Sequence, residues 1–187
     1  VLNANDANEI KSKTNLAVPR SNGLQAVFIA VTDGLVKDMN NNKVELIQLS
    51  DRKAVQNFKP DITSPALTSF VLDMNDGSLT LVFSETVNIS SVYPTEIQIK
   101  SSTFSASHAL VLSKGTVSST NLTTFEVAMD IDDLNSLKKN TNLGTGLGNT
   151  AVGLTNLTCK DMEGNNVVAT VQMASGYVKD TTAPELV

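Results

Sequence analysis

The chain has 187 residues, of which 41% are hydrophobic and 18% charged, so it can fold around a packed core. The net charge of −5 and the absence of any run of Lys or Arg argue against nucleic acid as a partner. No apolar stretch approaches the roughly 18–20 residues that cross a bilayer, so direct membrane insertion is not expected.

Between residues 67 and 173, short segments with alternating apolar residues predict half-buried antiparallel strands. These strands are predicted at 67–72, 79–84, 96–100, 109–112, 124–129, 152–160 and 167–173. Turns are predicted at 75–77, 118–121 and 161–165, and one short helix at 132–139 from its acidic start and basic end. The pattern favours an all-β fold, an immunoglobulin-like antiparallel β-sandwich, with a closed barrel as the alternative.

Two parts of the chain resemble each other and indicate a tandem repeat. The segments VTDGLVKDMNNNKVEL and LTNLTCKDMEGNNVVA align through Asp38 and Asp161, which are 123 positions apart. Before this match, in the segment of the predicted helix, the two copies are 127 positions apart. After it, they are 119 positions apart, and Asp61 aligns with Asp180.

The repeat predicts three segments: 1–59 as the C-terminal part of a preceding repeat, 60–179 as a complete repeat, and 180–187 as the start of the next. Each repeat would carry one short helix. Residues 1–59 contain too few strands to bury a sandwich face alone, because a strand pair is marginally stable in water. We therefore expect them to be completed by a longer chain or by a neighbour.

Several phrases resemble the immunoglobulin-like tandem repeats of bacterial S-layer proteins and surface adhesins. They are DITSP from Asp61, LTLVFSETVN from Leu79 and DTTAP from Asp180. Similar repeats occur in giant surface proteins of algae and other protists.

The resemblance implies an extracellular or cell-surface structural protein and no conserved chemistry. The chain would be a segment of a stalk or of the shaft of a surface filament. The partners implied are neighbouring repeats of the same chain, with homopolymeric assembly where chains associate. The alternative is an adhesive module that binds glycan or protein ligands through loops at the sandwich ends.

Four carboxylates at repeat ends and strand ends are candidate calcium ligands: Asp61, Glu85, Asp161 and Asp180. Calcium takes six to eight oxygen ligands and often stiffens the joints between extracellular domains. The other use of such aspartates is to form turns and to accept hydrogen bonds from backbone amides. Calcium is the only ion expected, and no cofactor is required.

Three Asn-x-Ser/Thr sequons predict glycosylation sites at Asn88, Asn121 and Asn156, and Asn121 is best placed because it lies in a predicted turn. Cys159, the single cysteine, aligns with Val36 and is expected to be a small buried apolar residue. The only histidine, His108, has no nucleophile motif nearby. We therefore expect no catalytic residues and no enzyme.

Overall fold

The structure is a computed structural model that describes residues 2–13, 16, 27–104 and 107–183. The chain divides into two compact units. The larger one, called the sandwich unit, contains Val1–Asn8 and Ile62–Val187, and the smaller one, called the hairpin unit, contains Glu9–Asp61. Among the described residues, neither α-helix has the length or apolar content needed to span a membrane.

The described residues form two α-helices and thirteen short strands. In chain order these are α1 (Ala4–Lys11), β1 (Phe28–Ile29), β2 (Lys53–Ala54), β3 (Leu67–Asp73), β4 (Ser78–Phe83), β5 (Val87–Asn88), β6 (Ile97–Lys100), β7 (Ala109–Val111), β8 (Gly115–Asn121), β9 (Thr124–Met129), α2 (Ile131–Lys139), β10 (Ala151–Leu154), β11 (Lys160–Asp161), β12 (Thr170–Met173) and β13 (Gly176–Val178).

The sandwich unit contains two main sheets that share one core. One sheet has the order β13-β3-β4-β9-β8 and the other the order β12-β10-β6-β7, and a small β5-β11 pair lies beside them. All pairings are antiparallel except that of β13 with β3. Fully buried side chains from both sheets form a single cluster, which includes Leu72, Leu79, Leu81, Phe125 and Val127 from the first and Ile97, Ile99 and Val152 from the second.

This arrangement fits the predicted sandwich, because the strand pairing of the described residues does not join the two main sheets into a closed ring. The alternation that predicted β4 has a physical basis in the core. Leu79, Leu81 and Phe83 are buried, while the residues between them are half-buried. The β3-β4 hairpin closes at Gly77, whose φ of 70° favours glycine.

Two of the sequence predictions are wrong in detail. The turn predicted at 118–121 is part of β8, an edge strand whose Ser and Thr side chains are all exposed to solvent. The chain reverses after Asn121 instead, where the Asn121 Oδ1 accepts a hydrogen bond from the Thr123 N–H. The strand predicted at 152–160 ends at Leu154, because the Thr155 carbonyl accepts the Thr158 N–H in a turn.

Helix α2 lies within one residue of the predicted helix. The Asp130 side chain caps its N-terminus by accepting the Asp132 N–H, and Leu134 and Leu137 are buried on its inner face. The Asp133 carboxylate accepts hydrogen bonds from both the N–H and the hydroxyl of Ser113, which ties the helix to the segment between β7 and β8.

The hairpin unit repeats the pairing of the last strands of the sandwich unit. Strand β1 pairs with β2 through Phe28 and Ala54, and a bridge joins Val31 to Ile47. The first pair corresponds to Ala151 and Met173, which lie 123 and 119 positions further along the chain and pair in the same way. The second corresponds to Leu154 and Thr170, both 123 positions further along. The change of offset falls between Ile47 and β2, where the hairpin unit has an extra 3₁₀ turn at Leu49–Asp51.

The hairpin unit differs from its counterpart in burial. None of its described residues is buried. Ile29 is 52% exposed while the equivalent Val152 is 0% exposed, and Val36 is 56% exposed while Cys159 is 0% exposed. The same pairing pattern therefore has a covered apolar face in the sandwich unit and an uncovered one in the hairpin unit.

Candidate functional site

An ion pair joins the last turn of each helix to the aspartate that opens the Asp-x-x-x-Pro segment. In the hairpin unit, the Lys11 Nζ lies 2.6 Å from the Asp61 Oδ2. In the sandwich unit, the Lys138 Nζ lies 2.7 Å from the Asp180 Oδ2. The lysines are 127 positions apart and the aspartates 119, so the same contact forms at aligned positions of the repeat.

The segment 180–184, which we call the linker, makes further hydrogen bonds through Asp180, Thr181 and Thr182. The Asp180 Oδ1 accepts the Thr182 N–H at 3.0 Å. The Asn75 Oδ1, in the β3-β4 turn, accepts the N–H and hydroxyl of Thr181 and the hydroxyl of Thr182 at 3.0–3.2 Å. The Lys138 ammonium first, and then the Thr182 N–H, lower the pKa of Asp180. The linker is therefore attached to the sandwich unit at α2 and at the β3-β4 turn.

A second aspartate pair forms the same turn in both units. The Asp161 carboxylate accepts the N–H of Glu163 at 3.0 Å, the N–H of Asn165 at 2.7 Å and the Asn165 side-chain amide at 2.7 Å. In the hairpin unit, the Asp38 carboxylate accepts the N–H of Asn40, the N–H of Asn42 and the Asn42 amide at 2.8–2.9 Å. The Asn42 side chain first, and then the Asn42 N–H, lower the pKa of Asp38; burial raises it by less, and the Asn40 N–H has the smallest effect.

One position of this turn requires a positive φ, which limits the residues that can occupy it. The residue before the closing asparagine is Asn41 in one copy, with φ of 70°, and Gly164 in the other, with φ of 94°. Asn and Gly are the residues that most readily adopt this left-handed conformation. The recurrence of Asp38 and Asp161 in the sequence therefore has a structural cause in the turn itself.

Of the four candidate calcium ligands, the sandwich unit brings Glu85 and Asp161 together. They are 5% and 2% exposed, and one carboxylate oxygen of each lies within 4.8 Å of the other. Carboxylate oxygens at this separation can coordinate one divalent cation. Asp180 lies instead at Lys138, and Asp61 belongs to the hairpin unit, in which it pairs with Lys11.

Helix α1 contacts the segment that follows β4. The Asn8 Oδ1 accepts the Thr86 N–H at 3.3 Å, and the Thr86 hydroxyl lies 3.1 Å from the Asn8 carbonyl oxygen and 3.3 Å from its Oδ1. Thr86 is 2% exposed. Asn8 is one turn before Lys11 on α1, as Asn135 is one turn before Lys138 on α2.

The three sequons lie at or near the surface. Asn121 and Asn156 are exposed, and Asn88 is half-buried in β5. The Oδ1 of Asn88 accepts the Ser90 N–H, and that of Asn121 accepts the Thr123 N–H and hydroxyl. The hydroxyl of Thr158, in the third sequon, is buried and donates to the Glu96 carbonyl. Glycosylation of the three asparagines stays a prediction.

Cys159 is fully buried, as the alignment with Val36 predicted, and burial raises the pKa of its thiol to about 12. The sequence interpretation missed the contacts of Lys11 and Lys138, although both lysines lie in the aligned helices. It also missed Asn75, whose role depends on a hairpin far from the linker in sequence.

The fold and its contacts define a β-sandwich domain to which the segment 180–182 is held by an ion pair and hydrogen bonds. No family model matches the chain, and no curated protein matches it. Three solved structures are similar in fold. One is a crystal structure of the S-layer protein rSbsC, with a sequence identity of 15% and a TM-score of 0.41, and another is the N-terminal part of the bacterial S-layer protein SbsC, with a sequence identity of 16% and a TM-score of 0.41. The third is domains 1–6 of the surface layer protein SbsC, with a sequence identity of 15% and a TM-score of 0.42. Each match covers 66% of this chain and between 14% and 25% of the other.

Proposed function

We propose that the chain is a structural segment of a large extracellular surface protein, built from tandem β-sandwich repeats that form a stalk or a filament shaft. The observation that carries this proposal is the helix-to-linker ion pair, which recurs as Lys11–Asp61 and Lys138–Asp180. A domain with a chemical function of its own does not need its exit segment fixed in the same way in each copy. A spacer does, because the direction of the next domain depends on that segment.

The chemistry of the linker supports a joint of limited flexibility. Asp180, Thr181 and Thr182 are bonded to the sandwich unit before the chain reaches Pro184. Proline fixes its own φ and restricts the residue before it, so little of the segment can rotate. Repeats joined in this way keep a set spacing, and the reach of the protein grows with their number.

The uncovered face of the hairpin unit supports the proposed boundaries at 1–59, 60–179 and 180–187. Ile29 and Val36 are exposed, although their equivalents Val152 and Cys159 lie in the core of the sandwich unit. In that unit the cover is provided by strands that precede α2 in the sequence. We infer that a segment similar to residues 62–127 covers the hairpin unit in the full-length protein.

The test is a chain in which residues 62–127 are placed ahead of residue 1, so that two complete repeats follow each other. We expect the β1 and β2 amides to become strongly protected from hydrogen exchange, and small-angle scattering to show an elongated particle with a narrow range of lengths. A matched control carries Leu81→Asp in the added copy only, which should prevent protection. Unprotected β1 and β2 amides, or a broad range of lengths, would contradict the spacer proposal.

Adhesion through the end loops is the alternative function. The end of the sandwich unit near the linker has an open depression of about 230 Å³, lined by residues that include Met74, Lys138, Gly144, Tyr177 and Asp180. Ligand pockets commonly have volumes of about 300–1,000 Å³ and enclose most of the ligand. The depression is smaller than that, and its Lys138 and Asp180 side chains are paired with each other, which favours the structural role.

We also propose calcium as a ligand of the Glu85 and Asp161 carboxylates; binding at Asp61 and Asp180 stays a prediction. Adding calcium to the chelated protein should raise its melting temperature, because the ion would bind the folded state, in which the two carboxylates lie close together. Asp161→Asn keeps the oxygen that accepts both backbone N–H groups but removes the charge, and Glu85→Gln keeps the shape of the side chain. Both variants should lose the calcium response, whereas an equal melting temperature of the native chain with and without calcium would refute the site.

A further inference from the structure

We propose that Asn135 on α2 is the docking point for the following sandwich domain, through the threonine that corresponds to Thr86. This inference rests on the proposed tandem function and names the contact between neighbours. Its template is the contact already present in this chain between Asn8 on α1 and Thr86 after β4.

Helices α1 and α2 carry the same set of polar groups at the same spacing. Each begins after a side chain that caps its N-terminus, Asn3 in α1 and Asp130 in α2. The last turn of each contains the lysine that pairs with the aspartate at the start of the Asp-x-x-x-Pro segment. One turn before that lysine, α1 has Asn8 and α2 has Asn135.

In α1, the asparagine at this position is used for contact with a sandwich domain. Its Oδ1 and carbonyl oxygen accept the N–H and hydroxyl of Thr86, and Thr86 is almost fully buried. In α2, Asn135 is exposed. The ion pair shows that α2 stands in the same relation to Asp180 as α1 does to Asp61.

The chain after Asp61 leads into β3 and β4 and then to Thr86. A chain that leaves Asp180 with the same Asp-x-x-x-Pro phrase and builds the same strands would bring its own threonine to Asn135. The occupant is therefore a second sandwich domain of this kind, joined head to tail. Such a contact uses different surfaces on its two sides, so it propagates from repeat to repeat instead of closing into a symmetric dimer.

The experiment compares the present chain with a fused chain in which residues 62–187 follow Asp180 a second time. In the present chain, Asn135→Ala should leave the melting temperature unchanged or raise it slightly, because Ala favours an exposed helix position. In the fused chain, the same substitution should lower the midpoint of the added domain by about 3 °C, and we expect Asn8→Ala to do the same for the first domain. Ser136→Ala, at the next exposed position of α2, is the matched control and should have no effect in either chain.

A double-mutant cycle then identifies the partner of Asn135. Thr86→Val in the added copy should also lower the midpoint, and the pair with Asn135→Ala should cost less than the sum of the single effects. Additive effects, or no effect of Asn135→Ala in the fused chain, would overturn the docking proposal. Small-angle scattering separates the two ideas: an elongated, narrowly distributed fused chain without coupling refutes the Asn135 contact alone, and a flexible fused chain refutes the spacer function as well.

Discussion

The Asp161 turn offers the sharpest test of how this fold is held together. Asp161→Ala removes three hydrogen bonds from a carboxylate that is 2% exposed, two of them from the backbone N–H groups of Glu163 and Asn165. Bonds to a charged group contribute roughly 1.5–3 kcal/mol each, but these donors are half-buried and water can replace part of the loss. We therefore expect a loss of about 3 kcal/mol, a large share of the stability of a domain of this size.

The assay is differential scanning calorimetry of the full chain in a chelating buffer, so that bound ions do not contribute. A loss of about 3 kcal/mol corresponds to a decrease of roughly 10 °C in melting temperature. Asp161→Asn should retain the two backbone bonds and lose about 1 kcal/mol. Asp38→Ala removes the same bonds from an exposed turn and should leave the melting temperature of the sandwich unit within a degree or two.

The reasoning is refuted if Asp161→Ala and Asp161→Asn lower the melting temperature equally, because the backbone bonds would then not be the source of stability. An unchanged melting temperature in Asp161→Ala would also refute it, because the three hydrogen bonds to Asp161 would then contribute nothing to stability.

Three further predictions follow from local geometry. Gly144→Ala should lower the free energy of unfolding in urea by about 1–2 kcal/mol, because Gly144 has φ of 66° and a Cβ there would lie 3.1 Å from a leucine side chain of α2. Gly148→Ala is the control and should be neutral, because nothing lies within 4 Å of its Cβ position. The Cys159 thiol should fail to react with a thiol reagent at pH 8 until the protein is unfolded, since its pKa is raised to about 12; rapid labelling of the native chain would contradict its burial. The pKa of Asp180 is lowered, so the Lys138–Asp180 contact should persist above about pH 4 and be lost as the pH falls through the folded-state pKa. In an NMR titration of the Asp180 carboxyl, the midpoint should move to higher pH in Lys138→Met. An unchanged midpoint would exclude Lys138 as the main cause of the lowered pKa.

The sequence predicted the strands whose side chains alternate between core and surface. β4 and β9 are examples, because Leu79, Leu81, Phe125 and Val127 all lie in the core. It did not predict β8, where Ser and Thr are typical of turns and only pairing with β9 makes a strand. Nor did it predict β13, a three-residue strand whose position depends on β3, more than a hundred residues earlier in the chain.

The candidate site was predicted in part, for a reason that lies in the repeat. Recurrence singled out Asp38 with Asp161 and Asp61 with Asp180, and the structure shows a hydrogen-bonded turn for the first pair and an ion pair for the second. Recurrence does not reveal the partner of a residue. The proximity of Glu85 to Asp161 depends on the β5-β11 pairing, which two-residue strands do not signal in a sequence.

The parallel pairing of β13 with β3 has a mechanical consequence for the proposed role as a spacer. β3 is the first strand of the sandwich unit and β13 the last, and they are joined by hydrogen bonds from the Ser175 N–H to the Phe70 carbonyl and from the Met74 N–H to the Val178 carbonyl. A pull on the two ends of the unit acts in opposite directions along two parallel neighbours. The hydrogen bonds are then sheared together, whereas an antiparallel hairpin pulled at its open end would release them one at a time.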